Sequence, residues 1–223
     1  MRQEAPYNPL EKRHLAESVA NALLHRPIEP LPPPDAFEGA GIYAIYYTGA
    51  LDIYEPIATR NRDGVFEMPI YIGKADPQGG RKGADFDAPH GLALCSRLAD
   101  HAKSVMAAAN LSIADFACRH LVVDEVWIRM AERMLISWHQ PVWNMVVDGF
   151  GNHDPGGRRA TQYRSPWDVL HPGRPWAVKL ADSGVQVDQI RARIADHLAA
   201  RINAELEERK ADARLTSRSP KSM

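Results

Sequence analysis

The chain has 223 residues, of which 45% are hydrophobic and 25% charged, and its net charge is −1 from 27 Lys and Arg against 28 Asp and Glu. This length and composition fit one well-buried globular core and do not require two domains. No apolar run is long enough for a membrane span, and the first nine residues show no signal-peptide pattern. The near-zero charge gives no global support for nucleic-acid binding, which would have to depend on local basic clusters.

The cysteines favour a reducing compartment. Cys95 and Cys118 are the two cysteines of the chain. Two are too few for a disulfide scaffold, so we predict that both are small core residues of a cytoplasmic protein.

The N-terminal region predicts a helix followed by an extended connector. Residues Leu10 to Leu24 have helical periodicity, with an apolar stripe of Leu15, Val19, Ala22 and Leu23. Five prolines between Pro27 and Pro34 exclude a helix there. We therefore expect residues 1–36 to form a helical arm and connector, packed on the body of the protein or on a partner.

Three runs rich in β-branched and aromatic residues predict strands. They are Gly41 to Tyr47 (GIYAIYY), Pro69 to Lys74 (PIYIGK) and Phe116 to Val123 (FACRHLVV). Turn signals lie between the first two runs, and the glycine-rich residues 76–91 predict a loop.

Three later segments predict helices. Leu92 to Asn110 and Asp124 to Gln140 have a helical period, and the second begins at a good N-cap and stops before Pro141. Val187 to Arg209 has apolar residues four apart, from Ile190 to Leu206.

The remaining C-terminal segments carry weaker signals. Val142 to Val147 predicts a short extended piece, and residues 149–163 predict a loop that contains glycines and arginines. The polar residues 210–223 predict a disordered tail. The main domain is therefore predicted to span residues 37–209.

Two tyrosines occupy matching tripeptides on predicted strands. Tyr43 lies in Gly-Ile-Tyr and Tyr71 in Tyr-Ile-Gly, with 27 residues between them. If the two strands pair antiparallel, both side chains can point into one cleft. The alternative is ordinary packing, since a strand tyrosine is commonly half-buried with a satisfied hydroxyl.

A basic pair lies on the next predicted helix. Arg97 and His101 are four residues apart and share a face, which is not the apolar face formed by Leu94, Leu98, Ala102 and Val105. Together they could supply a phosphate clamp and a titratable nitrogen, although a solvated helix face is the alternative.

A carboxylate lies among apolar residues on the following helix. Glu132 shares its stripe with Ile128, Leu135 and Ile136, and a buried carboxylate requires a metal ion or an arginine as partner. Asn144 follows that helix, where a capping or turn role is the alternative to a functional one.

The order of these six residues resembles the core of the GIY-YIG nuclease superfamily, and the likeness covers about Gly41 to Val147. The resemblance implies an α/β (α+β) fold with a small three-stranded antiparallel sheet flanked by helices. In this chain N- and C-terminal helical additions and DNA-contacting loops would surround that core.

Two departures from the family pattern narrow the resemblance. The long spacer between the tripeptides, and a histidine at position 101 where many members have tyrosine, are similar to type II restriction endonucleases that cut short GC-rich palindromes. The runner-up is a structure-specific repair or mobile-element nuclease of the same superfamily. An inactive DNA-binding protein of the same fold is a third reading.

The resemblance also implies a division of labour in the active site. Glu132 would hold one divalent ion, Mg²⁺ or alternatively Mn²⁺. Arg97 would bind the phosphate, Tyr43 would position or deprotonate the attacking water, and Tyr71 would orient the water or phosphate. His101 is the better proton acceptor near neutral pH, directly or through Tyr43. Asn144 would orient a neighbouring group.

Basic residues in predicted loops are the candidates for DNA contacts. Arginines in such loops can reach guanine edges in the major groove, and a solvated surface charge is the alternative for each of them. The candidates are Arg60, Arg62, Arg81, Lys82, Arg158, Arg159, Gln162 and Arg164.

Partners follow from the expected substrate. Cutting both strands of a palindrome requires two sites related by the two-fold axis of the DNA, so we expect a homodimer on double-stranded DNA. The N-terminal arm is the preferred dimer element, and the resemblance also implies a cognate DNA methyltransferase encoded separately.

Two other nuclease patterns are discarded. Glu208-Arg209-Lys210 lies on a predicted helix near the terminus instead of on a strand. Asn152-His153-Asp154 has no second histidine pair at a suitable spacing, so we predict that it is part of a loop.

Overall fold

A four-stranded antiparallel sheet lies at the centre of the structure, which is a computed structural model that describes residues 10–77, 91–154 and 162–217. The strand order is β1-β4-β2-β3. The strands are β1 (Glu29–Pro30), β2 (Gly41–Tyr47), β3 (Tyr71–Ala75) and β4 (Phe116–Val122). The predicted fold class is confirmed, with one strand more than the three predicted.

The helices agree with the prediction at most positions. They are α1 (Lys12–Leu24), α2 (Glu55–Asn61), α3 (Ala93–Ala107), α4 (Glu125–His139), α5 (Val142–Met145), α6 (Pro166–Leu170) and α7 (Val187–Ser217). The α4 N-cap is confirmed, because the Asp124 side chain accepts a hydrogen bond from the Val126 amide. Of the helices described, none is long and apolar enough to cross a membrane.

Helices cover both faces of the sheet. Every residue of β2 is buried, because alternate side chains enter two different cores. Tyr43, Ile45 and Tyr47 belong to the larger core, which includes residues of α3, α5, α6 and α7. The even-numbered residues of β2 pack with α1 and α4. The strand that carries the first tripeptide is therefore held in place from both sides.

The N-terminal arm folds onto its own chain. Helix α1 packs against α4 and β4, and it buries Ala16, Ala20 and Leu23. Of the predicted stripe, Leu23 is buried and Val19 is half-buried against the same core, whereas Ala22 is exposed. The buried face of α1 is therefore used within the chain, and α1 as a dimer element stays a prediction.

Tertiary contacts change three predicted segments. The Pro-rich connector contributes β1, whose Glu29 pairs with Cys118 of β4. The stretch predicted as extended after Pro141 is the helical turn α5. Helix α7 continues to Ser217 and buries Ile190, Ile194 and Leu198 in its own chain, so the predicted disordered tail does not begin at residue 210.

A buried polar network ties the C-terminal segment to the body. Trp143 Nε1 donates to Tyr54 Oη at 2.8 Å, and Tyr54 Oη lies 2.8 Å from His171 Nε2. Because Tyr54 accepts from Trp143, its own proton goes to His171, and His171 Nδ1 then donates to Asn110 Oδ1 at 2.9 Å. The network therefore requires a neutral histidine, and burial lowers the pKa of His171 to about 3.

We expect this network to make the fold sensitive to acid. A histidine whose pKa is lower in the folded than in the unfolded state stabilises the protein fully above the unfolded pKa of about 6.5. That stability is lost as the pH falls from about 6.5 towards 3. In urea unfolding at several pH values, His171→Leu should be less stable than wild type at pH 7 and lose less stability on acidification. Equal losses in both proteins would contradict a role for His171.

Candidate active site

Antiparallel pairing of β2 with β3 brings the two tripeptides together. Tyr43 lies opposite Gly73, and the rings of Tyr43 and Tyr71 are 6.2 Å apart between centroids. The Tyr43 ring lies directly over Gly73, where an added Cβ would be 2.3 Å from the hydroxyl oxygen. The glycine of the second tripeptide therefore makes room for the tyrosine of the first.

Helix α3 places His101 against the Tyr43 hydroxyl. The apolar stripe predicted for this helix is buried, and His101 is buried beside it. His101 Nε2 lies 2.6 Å from Tyr43 Oη, a short hydrogen bond in a water-poor setting. On its other side the imidazole stacks on Phe150, with centroids 4.4 Å apart and planes 17° from parallel.

Burial keeps both members of this pair neutral. It raises the pKa of Tyr43 well above 10, an effect that Tyr71 reinforces and Arg97 opposes. Burial also lowers the pKa of His101 well below 6.5, and the positive charge of Arg97 adds to this. A neutral phenol next to an unprotonated imidazole donates its proton towards the ring nitrogen, so His101 is ready to accept a proton.

Arg97 extends from α3 to the loop of residues 149–154. Its Nη2 donates to the Gly151 carbonyl at 3.0 Å, and its Nη1 donates to His153 Nε2. His153 is exposed and belongs to the tripeptide that sequence reasoning assigned to a loop. The loop assignment agrees with the structure, but the contact with Arg97 was missed because 56 residues separate the two side chains.

Glu132 lies at the rim of the buried face of α4. Ile128 and Leu135 of its predicted stripe are buried, and Glu132 itself is half-buried. Burial raises the pKa of the Glu132 carboxyl, while Lys74 lowers it and Asp76 raises it. Within the described residues Glu132 has no hydrogen bond or ion pair, so the oxygens of a partly desolvated carboxylate remain available.

Asn144 fastens the outer edge of β3. Its side-chain oxygen accepts from the Ile72 amide and its side-chain nitrogen donates to the Ile72 carbonyl, both at 2.8 Å. The adjacent Trp143 amide donates to the Ile70 carbonyl. Asn144 therefore holds the strand that carries Tyr71.

Two arginines predicted to contact DNA form ion pairs with other residues of the same chain. Arg62 forms a two-pronged ion pair with Glu55 and also donates to the carbonyls of Thr48 and Gly49. Arg60 pairs with Glu205 of α7. Both side chains hold α2 to its surroundings, and the structure does not bring them to the tyrosine–histidine pair.

The other predicted DNA contacts divide into two groups. Four of them lie outside the described residues, namely Arg81, Lys82, Arg158 and Arg159. Gln162 is exposed and lines a groove of about 510 Å³ that also contains Gly151 and His153, next to Arg97. Arg164 is half-buried, and its Nε donates to the Ala177 carbonyl. Gln162 thus remains a candidate for substrate contact.

This sheet, with its two strand tyrosines, a basic helix pair and a carboxylate on a later helix, defines a GIY-YIG nuclease domain. Residues 35–198 match the family model described as the Eco29kI GIY-YIG domain. The chain therefore belongs to this family of GIY-YIG restriction endonucleases. A search of curated proteins found no match.

Gly73 provides a direct test of the packing in the site. In Gly73→Ala the new methyl group would meet the Tyr43 ring, so we expect the phenol to move away from His101 and DNA cleavage to fall by about 100-fold. Gly184→Ala is the matched control, because an added Cβ there would meet no atom within 4 Å and its φ of +73° tests the effect of backbone strain away from the site. Rates of plasmid cleavage by the two variants, both checked for folding by circular dichroism, should differ widely. Similar rates would contradict the requirement for glycine at position 73.

Proposed function

We propose that the protein is a type II restriction endonuclease that uses Mg²⁺ to hydrolyse both strands of a short, palindromic, GC-rich DNA site. The observation that carries this proposal is the buried Tyr43–His101 hydrogen bond, with Arg97 on one side and the half-buried Glu132 on the other. Phosphodiester hydrolysis requires a proton acceptor, a cation for the phosphate and a carboxylate for a metal ion, and these residues supply all three.

The donor set suits a magnesium ion with few protein ligands. Among the described residues no group of three or more metal-ligating side chains occurs, so Glu132 would act as the main protein ligand. Mg²⁺ usually keeps several waters and is commonly bound through one or two carboxylates plus substrate phosphate. When bound, the ion would stabilise the charge that develops on the phosphate and on the leaving 3′ oxygen.

The proton path begins at the attacking water and ends at His101. As the water oxygen bonds to phosphorus, its proton passes to the Tyr43 oxygen while the Tyr43 proton passes to His101 Nε2. The bond from phosphorus to the 3′ oxygen breaks, and the 3′ oxygen takes a proton from solvent. Because the pKa of Tyr43 is raised, this relay avoids a free phenolate.

Arg97 supplies the positive charge for the phosphate. Its guanidinium is oriented by Gly151 and His153, and charge-assisted hydrogen bonds from arginine suit phosphate oxygens well. A phosphate at this position would also offset the positive charge that lowers the pKa of His101. Substrate binding would therefore raise the pKa of His101 and make it a stronger base during the reaction.

Base reading and assembly complete the proposal. Each chain carries one Tyr43, one Arg97 and one Glu132, so cleavage of both strands calls for two copies on a two-fold symmetric site. Arg158 and Arg159 remain candidates for reading bases, together with Gln162. A cognate methyltransferase would protect the same site in the host.

A plasmid digest with Mg²⁺ tests the proposed reaction. Wild type should cut at a recurring short palindrome when the fragment ends are mapped, and Glu132→Gln should bind the same duplex without cutting it. Cleavage by Glu132→Gln at near wild-type rate would remove Glu132 from the metal site. Cleavage confined to branched or unpaired DNA would instead favour a repair nuclease.

A thermal unfolding experiment tests the metal site without catalysis. Because the folded protein raises the pKa of Glu132, the ionised form destabilises the fold at pH 7. In the absence of metal, Glu132→Gln should therefore melt higher than wild type, by roughly 1–4 °C. Added Mg²⁺ should raise the melting temperature of wild type but leave that of the variant unchanged. An equal response of both proteins would place the ion elsewhere.

The assembly is tested on the mapped site. Light scattering should show two copies of the chain on one duplex that carries the palindrome. One copy per duplex, at concentrations where both strands are cut together, would exclude the dimer and indicate sequential nicking.

A further inference from the structure

Arg174 lies outside the residues that the proposed reaction uses, yet it is bonded to the loop that supports them. We propose that Arg174 is a positioning residue, which holds residues 149–152 so that Phe150 stacks on His101 and the Gly151 carbonyl orients Arg97. The inference rests on the proposed nuclease function and assigns Arg174 a part in it.

The guanidinium of Arg174 is almost completely buried and makes four hydrogen bonds. Its Nε donates to Asp168 at 2.6 Å, its Nη2 to the Gly149 carbonyl at 2.9 Å, and its Nη1 to the carbonyls of Phe150 and Asn152 at 3.1 and 3.3 Å. Both Arg174 and Asp168 are only 2% exposed. Three carbonyls within four consecutive residues thus converge on one cation.

Aromatic rings fix the plane of this guanidinium. Its central carbon lies 4.4 Å from the Trp167 ring centroid and 4.5 Å from that of Trp176. The other oxygen of Asp168 accepts from the Ser165 hydroxyl at 2.6 Å. A buried charge is costly unless it is paired and hydrogen-bonded. Here the partners match the planar guanidinium, whose several N–H groups donate in different directions, as a lysine ammonium could not.

The loop held by Arg174 contacts the catalytic groups directly. The Phe150 ring covers one face of His101 and lies 5.0 Å from the Tyr71 ring. The Gly151 carbonyl, between two carbonyls bonded to Arg174, accepts from Arg97. Movement of this loop would therefore affect the proton acceptor and the phosphate-binding cation together.

The charge of Arg174 also reaches His101. Besides burial, Arg97, His153 and Arg174 all lower the pKa of this histidine, while the facing Tyr43 and Tyr71 are neutral. Removing the charge, or letting water enter beside Phe150, should raise the pKa of His101. Because Arg174→Lys keeps the charge, a rise of the His101 pKa in that variant reports movement of the loop and not loss of charge.

Two variants of the full chain separate geometry from charge. Arg174→Met keeps an aliphatic stem between the tryptophans but loses the charge and every hydrogen bond, and Arg174→Lys keeps the charge without the fork. Arg191→Met is the matched control, since Arg191 is exposed on α7 and pairs with Asp52. Ile190→Val controls for a small loss of core stability.

The first measurement is NMR titration of the His101 ring without DNA, assigned by its loss in His101→Gln. The pKa of His101 should rise in Arg174→Met, rise less in Arg174→Lys, and stay unchanged in both controls. The second measurement is cleavage of saturating plasmid DNA with Mg²⁺. Here kcat should fall on the order of 10- to 100-fold in Arg174→Met, with KM changed less than about threefold.

An unchanged pKa of His101 together with wild-type kcat in Arg174→Met would overturn the proposal. A comparable loss of kcat in Ile190→Val would also overturn the proposal, because the loss in Arg174→Met could then be explained by lower stability of the fold alone. If the wild-type protein cuts no DNA, the nuclease proposal fails, while the pKa of His101 in Arg174→Lys still decides whether Arg174 positions the loop against His101: a rise supports the positioning role and an unchanged value overturns it.

Discussion

The candidate site depends on one buried hydrogen bond, in which Tyr43 Oη lies 2.6 Å from His101 Nε2. Burial keeps the phenol protonated and the imidazole neutral, so the ring nitrogen is free to accept a proton through the phenol. The bond requires glycine at position 73, a helix that brings His101 to the sheet, and an aromatic cover from Phe150. Each of these requirements involves a different part of the chain, which explains why the site depends on the whole domain.

The site uses both faces of the sheet at its outer strand. Helix α3 brings Arg97 and His101 to the face of Tyr43, whereas α4 packs on the opposite face and carries Glu132. Only at the edge strand β3 can groups from the two sides approach the same substrate. Besides burial, the negative charge of Glu132 accordingly raises the pKa of both Tyr43 and Tyr71. A site beside an edge strand is open to a long polymer such as DNA.

The sequence predicted those parts of the fold that depend on interactions between residues close together in the chain. Strands β2 and β4 followed from their β-branched and aromatic residues, and α4 from its period and its Asp124 cap. Strand β1 could not be predicted, because its two residues pair with a segment almost ninety positions away. The ion pair of Arg60 with Glu205, and the contacts of His153 and Arg174 with the site, likewise join residues that no local pattern connects. The order of the candidate catalytic residues was predicted from a family likeness, whereas the contacts that support them depend on tertiary packing.

Asn144 and Trp143 cover part of the open edge of β3, which limits how a second copy of the chain can pair with it. An edge strand normally offers a row of amides and carbonyls to which another strand can add. Along β3 the Ile72 amide and carbonyl are both taken by one side-chain amide, and the neighbouring Ile70 carbonyl accepts from Trp143. Strand addition at the Ile72 end of β3 is therefore hindered from within the chain. A second copy of the chain is therefore hindered from joining its sheet to this one beside the candidate active site.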